Sequence, residues 1–216
     1  MSLHTRITCP GCQAPYTLRL RLTGRFICLR CRAQAVVDGI AQDASRPLVT
    51  AAPMPDDLSF VQIGTTGVLD DAPFEVIGRI RLQLRNDYKN FWCAVRKEGS
   101  GFWIAESFGS FAVYNGAWQP YTDLASKLRS NKTIPLPDVP VTGEYVERCE
   151  GLALSGELLP WNVVDPGWFV VQGSKGARTA FFMTKPNVGG VHYLLGKKVP
   201  VENLKLANTL PWNEWN

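Results

Sequence analysis

Four cysteines in two close pairs carry the plainest chemistry in the chain: Cys9-Pro10-Gly11-Cys12 and, after fifteen intervening residues, Cys28-Leu29-Arg30-Cys31. Two thiolates three residues apart on a tight turn can grip one side of a metal ion, and a second such turn completes a tetrahedron of sulfur. A closed set of four leaves no open position for water or substrate, so the chemistry it implies is structural, with one zinc as the metal. Disulfides, a redox dithiol pair or a rubredoxin-like iron use the same residue types and stay open at this level.

The elements that must position these thiols are short. Tyr16, Leu18, Leu20 and Leu22 alternate with Thr17, Arg19 and Arg21, the period of a half-buried strand over residues 16–22. Thr23-Gly24 reads as a turn, and residues 25–29 as a returning strand that delivers the second pair. The expectation is a single hairpin with both knuckles at one end. A piece of about thirty residues cannot bury enough apolar surface to fold unaided, so metal binding would supply its folding free energy. The stretch resembles the bacterial zinc ribbons that begin Cys-Pro-x-Cys and end Cys-x-x-Cys. It departs from them at Gln13 and Arg32, which stand where those ribbons usually place a glycine after each second cysteine.

Charge is concentrated in the same region. The chain of 216 residues carries a formal +4, yet residues 1–50 hold seven Arg against two Asp, while the remainder holds sixteen basic and seventeen acidic groups. Arg19, Arg21, Arg25, Arg30 and Arg32 are therefore candidate partner contacts, for an acidic protein surface or for nucleic-acid phosphates. The aromatic interleaving that a single-strand binder uses is thin there, with only Tyr16 and Phe26. No apolar run is long enough for a membrane helix, and the opening MSLHTRIT lacks the apolar core of a signal peptide. Cys93 and Cys149 stand alone, as thiols do in a reducing compartment, so a cytoplasmic location is expected.

Residues 41–57 carry three prolines and few large apolar side chains, and read as a linker between a ribbon at 1–40 and a body at 58–216. The body is patterned as short strands and turns, over residues 60–64, 67–69, 91–95, 101–105, 110–114, 144–154, 168–172, 177–184, 189–195 and 199–206. Only residues 123–129 suggest a helix. The fold class is accordingly mainly β: an N-terminal zinc ribbon followed by a β-rich sandwich or barrel-like domain, with room for two lobes at 58–120 and 140–210. The longest strand is expected at 74–85, where Phe74, Val76, Gly78, Ile80, Leu82 and Leu84 share one parity. Glu75, Arg79, Arg81, Gln83 and Arg85 occupy the other, which predicts a wet outer face. A large neighbour such as Trp92 or Trp103, or a bend, would fill the space above Gly78.

The run from Val61-Gln62-Ile63-Gly64 through Gly67-Val68-Leu69 to Phe74-Glu75-Val76-Ile77-Gly78 resembles the opening of the bacterial domain-of-unknown-function family 4178. Trp103-Ile104-Ala105-Glu106 and Gly156-Glu157-Leu158-Leu159-Pro160-Trp161 continue the likeness over residues 58–206. It departs from the family's Trp-x-Glu-Trp strand, having Asn90-Phe91-Trp92-Cys93 there and Trp212-Asn213-Glu214-Trp215 near the C-terminus. What the resemblance implies is a partner-binding role without an established activity.

Catalytic signals are sparse. Of two histidines, His4 and His192, only His192 lies in a patterned segment, and no nucleophile elbow accompanies it. The carboxylates Glu106, Glu144, Glu147 and Glu157 read as scattered over turns and wet strand faces. Trp212 and Trp215, in a polar tail, are a candidate docking pair. The sequence thus points to a non-enzymatic zinc-ribbon adaptor that contacts another protein in a bacterial cytoplasmic or membrane-associated assembly. A nucleic-acid binder using the Arg-rich ribbon is the first alternative, and an enzyme with a pocket near His192 the second.

Overall fold

A computed structural model describes residues 5–36, 49–55, 59–115, 119–121, 128, 132–136, 140–160, 167–184 and 191–211. The segment expected as a helix at 123–129, apart from Leu128, lies outside these, as do Trp212, Trp215 and most of the linker. The chain is mainly β and starts with a zinc-ribbon-like cluster of four cysteines. Its first strands are β1 (Arg6–Thr8), β2 (Pro15–Thr17), β3 (Arg25–Ile27), β4 (Ala33–Val36) and β5 (Val49–Thr50). The body follows with β6 (Thr66–Leu69), β7 (Ala72–Leu84), β8 (Tyr88–Arg96), β9 (Gly101–Ser107), β10 (Ser110–Asn115) and β11 (Gln119–Tyr121). Then come β12 (Thr133–Ile134), β13 (Val141–Leu158), β14 (Phe169–Lys175), β15 (Arg178–Thr184) and β16 (Val191–Val199). No helix among the described residues is long and apolar enough to cross a membrane.

Strand pairing closes on itself. β7, β8, β9, β10, β16, β15, β14 and β13 pair antiparallel in that order, and β13 returns to β7. The 18-residue length of β13 makes this possible: residues 142–148 pair with β14 and residues 149–156 with β7. The result is an eight-stranded barrel with no free edge around the ring. The two candidate lobes each supply four strands to it.

One buried cluster, drawn from all eight strands, fills the barrel. It includes Ile80 and Leu82 of β7, Phe91 of β8, Trp103 of β9, Tyr114 of β10, Leu154 of β13, Val170 of β14, Phe181 of β15 and Leu194 of β16. The rings of Phe91 and Phe181 meet across the interior at 4.9 Å. A second cluster covers the outside of β7 to β10, where Phe74, Val76, Trp92 and Phe102 pack under Phe60, Val61 and Leu204. Residues 60–64, expected as a strand, are an irregular cover there, and 201–204 form a 3-10 turn where a strand was expected. A third cluster places Leu128, Ile134 and Leu136 against Val171, Phe182 and Tyr193.

The parity of β7 reverses midway, which corrects the wet-face expectation. Val76 pairs with Ala94 but Gly78 pairs with Cys93, so one residue is bulged out. Beyond the bulge, Ile80, Leu82 and Leu84 face the barrel interior, while Arg79 and Arg81 continue the face of Phe74 and Val76. Arg79 and Arg81 are only 9% and 6% exposed. Arg79 stacks over Trp92 at 4.5 Å and donates to Asn90 Oδ1 at 2.8 and 3.2 Å; Arg81 stacks over Tyr88 at 3.9 Å. Glu106, read as a wet-face carboxylate, is buried beside them and accepts from Ser59 Oγ at 2.7 Å, Trp92 Nε1 at 2.8 Å and Asn90 Nδ2 at 3.3 Å. The space above Gly78 is taken by backbone, since a Cβ there would lie 2.1 Å from Glu157 O.

The ribbon also differs from the single hairpin. β1 pairs with β2, and β3 with β4, so each cysteine pair tips its own short hairpin. β3 pairs in addition with β13, Gly156 to Leu158 lying opposite Ile27 to Arg25. Within the segment read as linker, Val49–Thr50 adds a strand to β4. The second hairpin and the barrel therefore share one hydrogen-bonded sheet, while β1 and β2 form a separate two-stranded one.

Candidate metal centre

The two knuckles are built alike. In the first, Cys9 N donates to Ala14 O at 2.9 Å and Gln13 N to Cys9 O at 3.0 Å; in the second, Cys28 N donates to Ala33 O at 2.9 Å and Arg32 N to Cys28 O at 2.8 Å. Gln13 and Arg32 sit at φ 59° and 61°, the left-handed region that glycine holds in the ribbons this stretch resembles. The turn geometry is thus kept without the glycine.

Folding these hairpins side by side brings the sulfurs together. Cys9 and Cys31 Sγ lie 3.5 Å apart, Cys12 and Cys28 Sγ 3.7 Å apart, and all four fall within 4.8 Å of one another. Gly11 N reaches Cys9 Sγ at 3.4 Å, and the Tyr16 hydroxyl is 3.4 Å from Cys28 Sγ. Around them Leu18, Phe26 and Ala33 form a small core with Cys9 and Cys28, and the rings of Tyr16 and Phe26 meet at 4.5 Å.

The electrostatics of four crowded thiols call for a cation. Burial opposes ionisation of Cys28, but hydrogen bonds from Tyr16 and from the backbone of Cys31 and Arg30 outweigh it and bring that thiol down to about 6. Tyr16 is in turn pushed up to about 12, chiefly by its bond to Cys28. At Cys31 the Ala33 N–H favours the thiolate, yet burial and the neighbouring Cys9, Cys12 and Cys28 prevail and raise it to about 12. Ionising one thiol therefore hinders the next, and a bound cation is what lets all four become thiolates together. The four sulfurs could hold one metal ion.

The other sequence-derived site residues are not brought together. Arg19 Nη1 pairs with Glu75 Oε1 at 2.5 Å, and Arg21 Nε donates to Glu98 O at 2.7 Å, so both serve contacts with the barrel. Arg25 is half-buried on β3, while Arg21, Arg30 and Arg32 are exposed, the last two beside the second knuckle. His192 lies opposite Met183 and packs near Trp168, ring centroids 6.1 Å apart. A groove of about 320 Å³ on the outside of β10, β15 and β16 is lined by Val113, Leu195, Arg178 and Lys197, and His192 does not reach it.

Glu157, expected with the other carboxylates on turns and wet strand faces, is instead 5% exposed. Its carboxylate is buried against the ribbon, accepting from Arg19 N at 2.8 Å, Leu20 N at 2.8 Å and Thr23 Oγ at 2.6 Å. The available signal was one acid inside the apolar run from Ala153 to Leu159. No family model, no curated protein and no solved structure matches this chain.

Proposed function

We propose that the chain is a zinc-ribbon adaptor whose metal centre is structural and whose partner is another protein. The convergence of Cys9, Cys12, Cys28 and Cys31 carries this reading: the 3.5 and 3.7 Å separations are close to the ~3.8 Å edge of a tetrahedron with ~2.3 Å zinc–sulfur arms. Zinc supplies no open position in such a set, so it acts by fixing the two knuckles. The knuckle tip then offers Leu29, Arg30 and Arg32, all exposed, to an acidic partner surface. Partner binding is also what the likeness of residues 58–206 to the family named above implies, and the lone thiols Cys93 and Cys149 suit a reducing cytoplasm. The nucleic-acid reading draws less support, because Arg19 and Arg21 are committed to Glu75 and Glu98.

Metal analysis of the purified chain tests the centre: one zinc per chain is expected, lost on Cys28→Ser, and a chain free of zinc at full thiol reduction would end the reading. Capture of partners by the intact chain and by an Arg30→Glu/Arg32→Glu variant tests the contact, which requires the variant to lose them. Salt-sensitive retention of RNA or DNA, abolished by the same variant, would favour the nucleic-acid alternative instead.

A further inference from the structure

Two ribbon residues belong to the barrel's interior. Leu20 and Ile27, 4% and 1% exposed, lie in the same buried cluster as Trp103, Leu154 and Leu158. The fit is tight: a Cβ on Gly101 would fall 2.5 Å from Leu20 Cδ2, and one on Gly24 would fall 2.4 Å from Pro160 Cα. Residues 18–24, between β2 and β3, have no partner strand of their own. Leu18 N donates to Thr5 O within the ribbon, but four further N–H groups are taken up by the body, those of Arg19 and Leu20 by the Glu157 carboxylate, Arg21 by Gly99 O at 2.9 Å and Gly24 by Leu158 O at 2.9 Å.

The position of this segment is set by its two ends. β2 runs directly out of the first knuckle, and β3 runs directly into the second. Apart from the thiols, the two hairpins meet among the described residues through a small core of Leu18, Phe26 and Ala33 and through Tyr16, whose ring lies 4.5 Å from Phe26 and whose hydroxyl lies 3.4 Å from Cys28 Sγ.

We propose that the ribbon is a metal-held plug: an ion bound by Cys9, Cys12, Cys28 and Cys31 seats residues 18–24 over one end of the barrel, and its loss withdraws Leu20 and Ile27 and opens that end. The inference rests on the metal-centre reading above and adds a regulation to it. Metal state becomes exposed apolar surface, because Leu158 and Leu159, which pack in one cluster with Leu20 and Ile27, lose that cover when the plug leaves. Glu157 is the latch, a buried carboxylate whose donors among the described residues, Arg19 N, Leu20 N and Thr23 Oγ, all belong to the seated segment.

Hydrogen exchange on the full chain tests the plug, with one equivalent of zinc and again after chelation, metal content being measured on the same samples. The amides of Arg21 and Gly24, and those of residues 78–80, 101–103 and 154–158, are expected to exchange at least ~10-fold faster without metal, while β14 and β15 change little. A hydrophobic dye should bind the metal-free form and not the zinc form. Glu157→Gln, which keeps every cysteine, should retain one zinc and still speed exchange at residues 154–158. If the wild-type chain binds no zinc, the metal centre and the plug fall together. If zinc binds and its removal speeds exchange only within residues 5–36, the plug alone is overturned.

Discussion

Gln13 and Arg32 occupy a backbone region that costs a side-chain-bearing residue about 1–2 kcal/mol, and they do so at the turns that aim the sulfurs. Each substitution to glycine removes that cost against a smaller loss of unfolded-chain entropy. Gln13→Gly and Arg32→Gly are therefore expected to tighten zinc about two- to fivefold each, measured by competition with a chromophoric chelator. Weaker binding in both would mean that the side chains themselves support the knuckles. Lys89 stores a different strain. It points into the barrel, bonded to Gln172 Oε1 and lying 5.5 Å over the Phe181 ring, and burial brings its ammonium down to about 8. The folded value lies below the unfolded one of about 10.4, so between them the unfolded chain binds more protons and stability rises with pH. Below pH 8 the cost of the buried charge is present in full. Lys89→Met should raise stability at pH 7 by about 1–3 kcal/mol and flatten the rise that urea unfolding of the wild type shows from pH 8 to 10.

At the scale of elements, alternation made β7 legible as a long strand but could not place its bulge. Period-two reasoning assigns a face to every residue from a single register, and one extra residue exchanges the faces of all that follow. The bulge is fixed by the pairing of Val76 with Ala94 and Gly78 with Cys93, contacts between two strands that no local pattern records. Ile80 keeps its expected burial, and Ile80→Ala should cost about 2–5 kcal/mol. Arg79→Ala, by contrast, is not a surface change: it removes two bonds to Asn90 and the stack on Trp92, and should cost about 1–3 kcal/mol in the same urea experiment. A cost within about 0.5 kcal/mol would return Arg79 to the solvent face. The cysteine spacing was legible for the opposite reason, since each pair is local and its chemistry depends on separation along the chain. The Glu157 latch was not, because its partners stand 134 to 138 residues away.

For the whole molecule, the question is whether ribbon and barrel fold as one. Proline-rich composition at 41–57 suggested separate cores, but composition describes the connection and says nothing of what the connected parts do on meeting. The shared sheet at β3 and β13 and the seating of Leu20 and Ile27 among barrel residues predict coupling. A chain of residues 51–216 would expose the end of the barrel to water and leave the last residues of β13 as an unpaired edge. Burying one Leu or Ile side chain is worth about 1.5–3 kcal/mol, so losing two should lower the unfolding free energy of the truncated chain by about 3–6 kcal/mol relative to the zinc-loaded full chain. Against a total of about 5–15 kcal/mol for a domain, that is enough to leave the barrel marginal. Urea unfolding followed by tryptophan fluorescence reports this directly, because Trp92 and Trp103 are buried in the barrel and absent from the ribbon. Full-length protein with zinc should unfold in one transition and residues 51–216 at a much lower midpoint. Unfolding free energies that agree to within about 1 kcal/mol would show two independently folding parts.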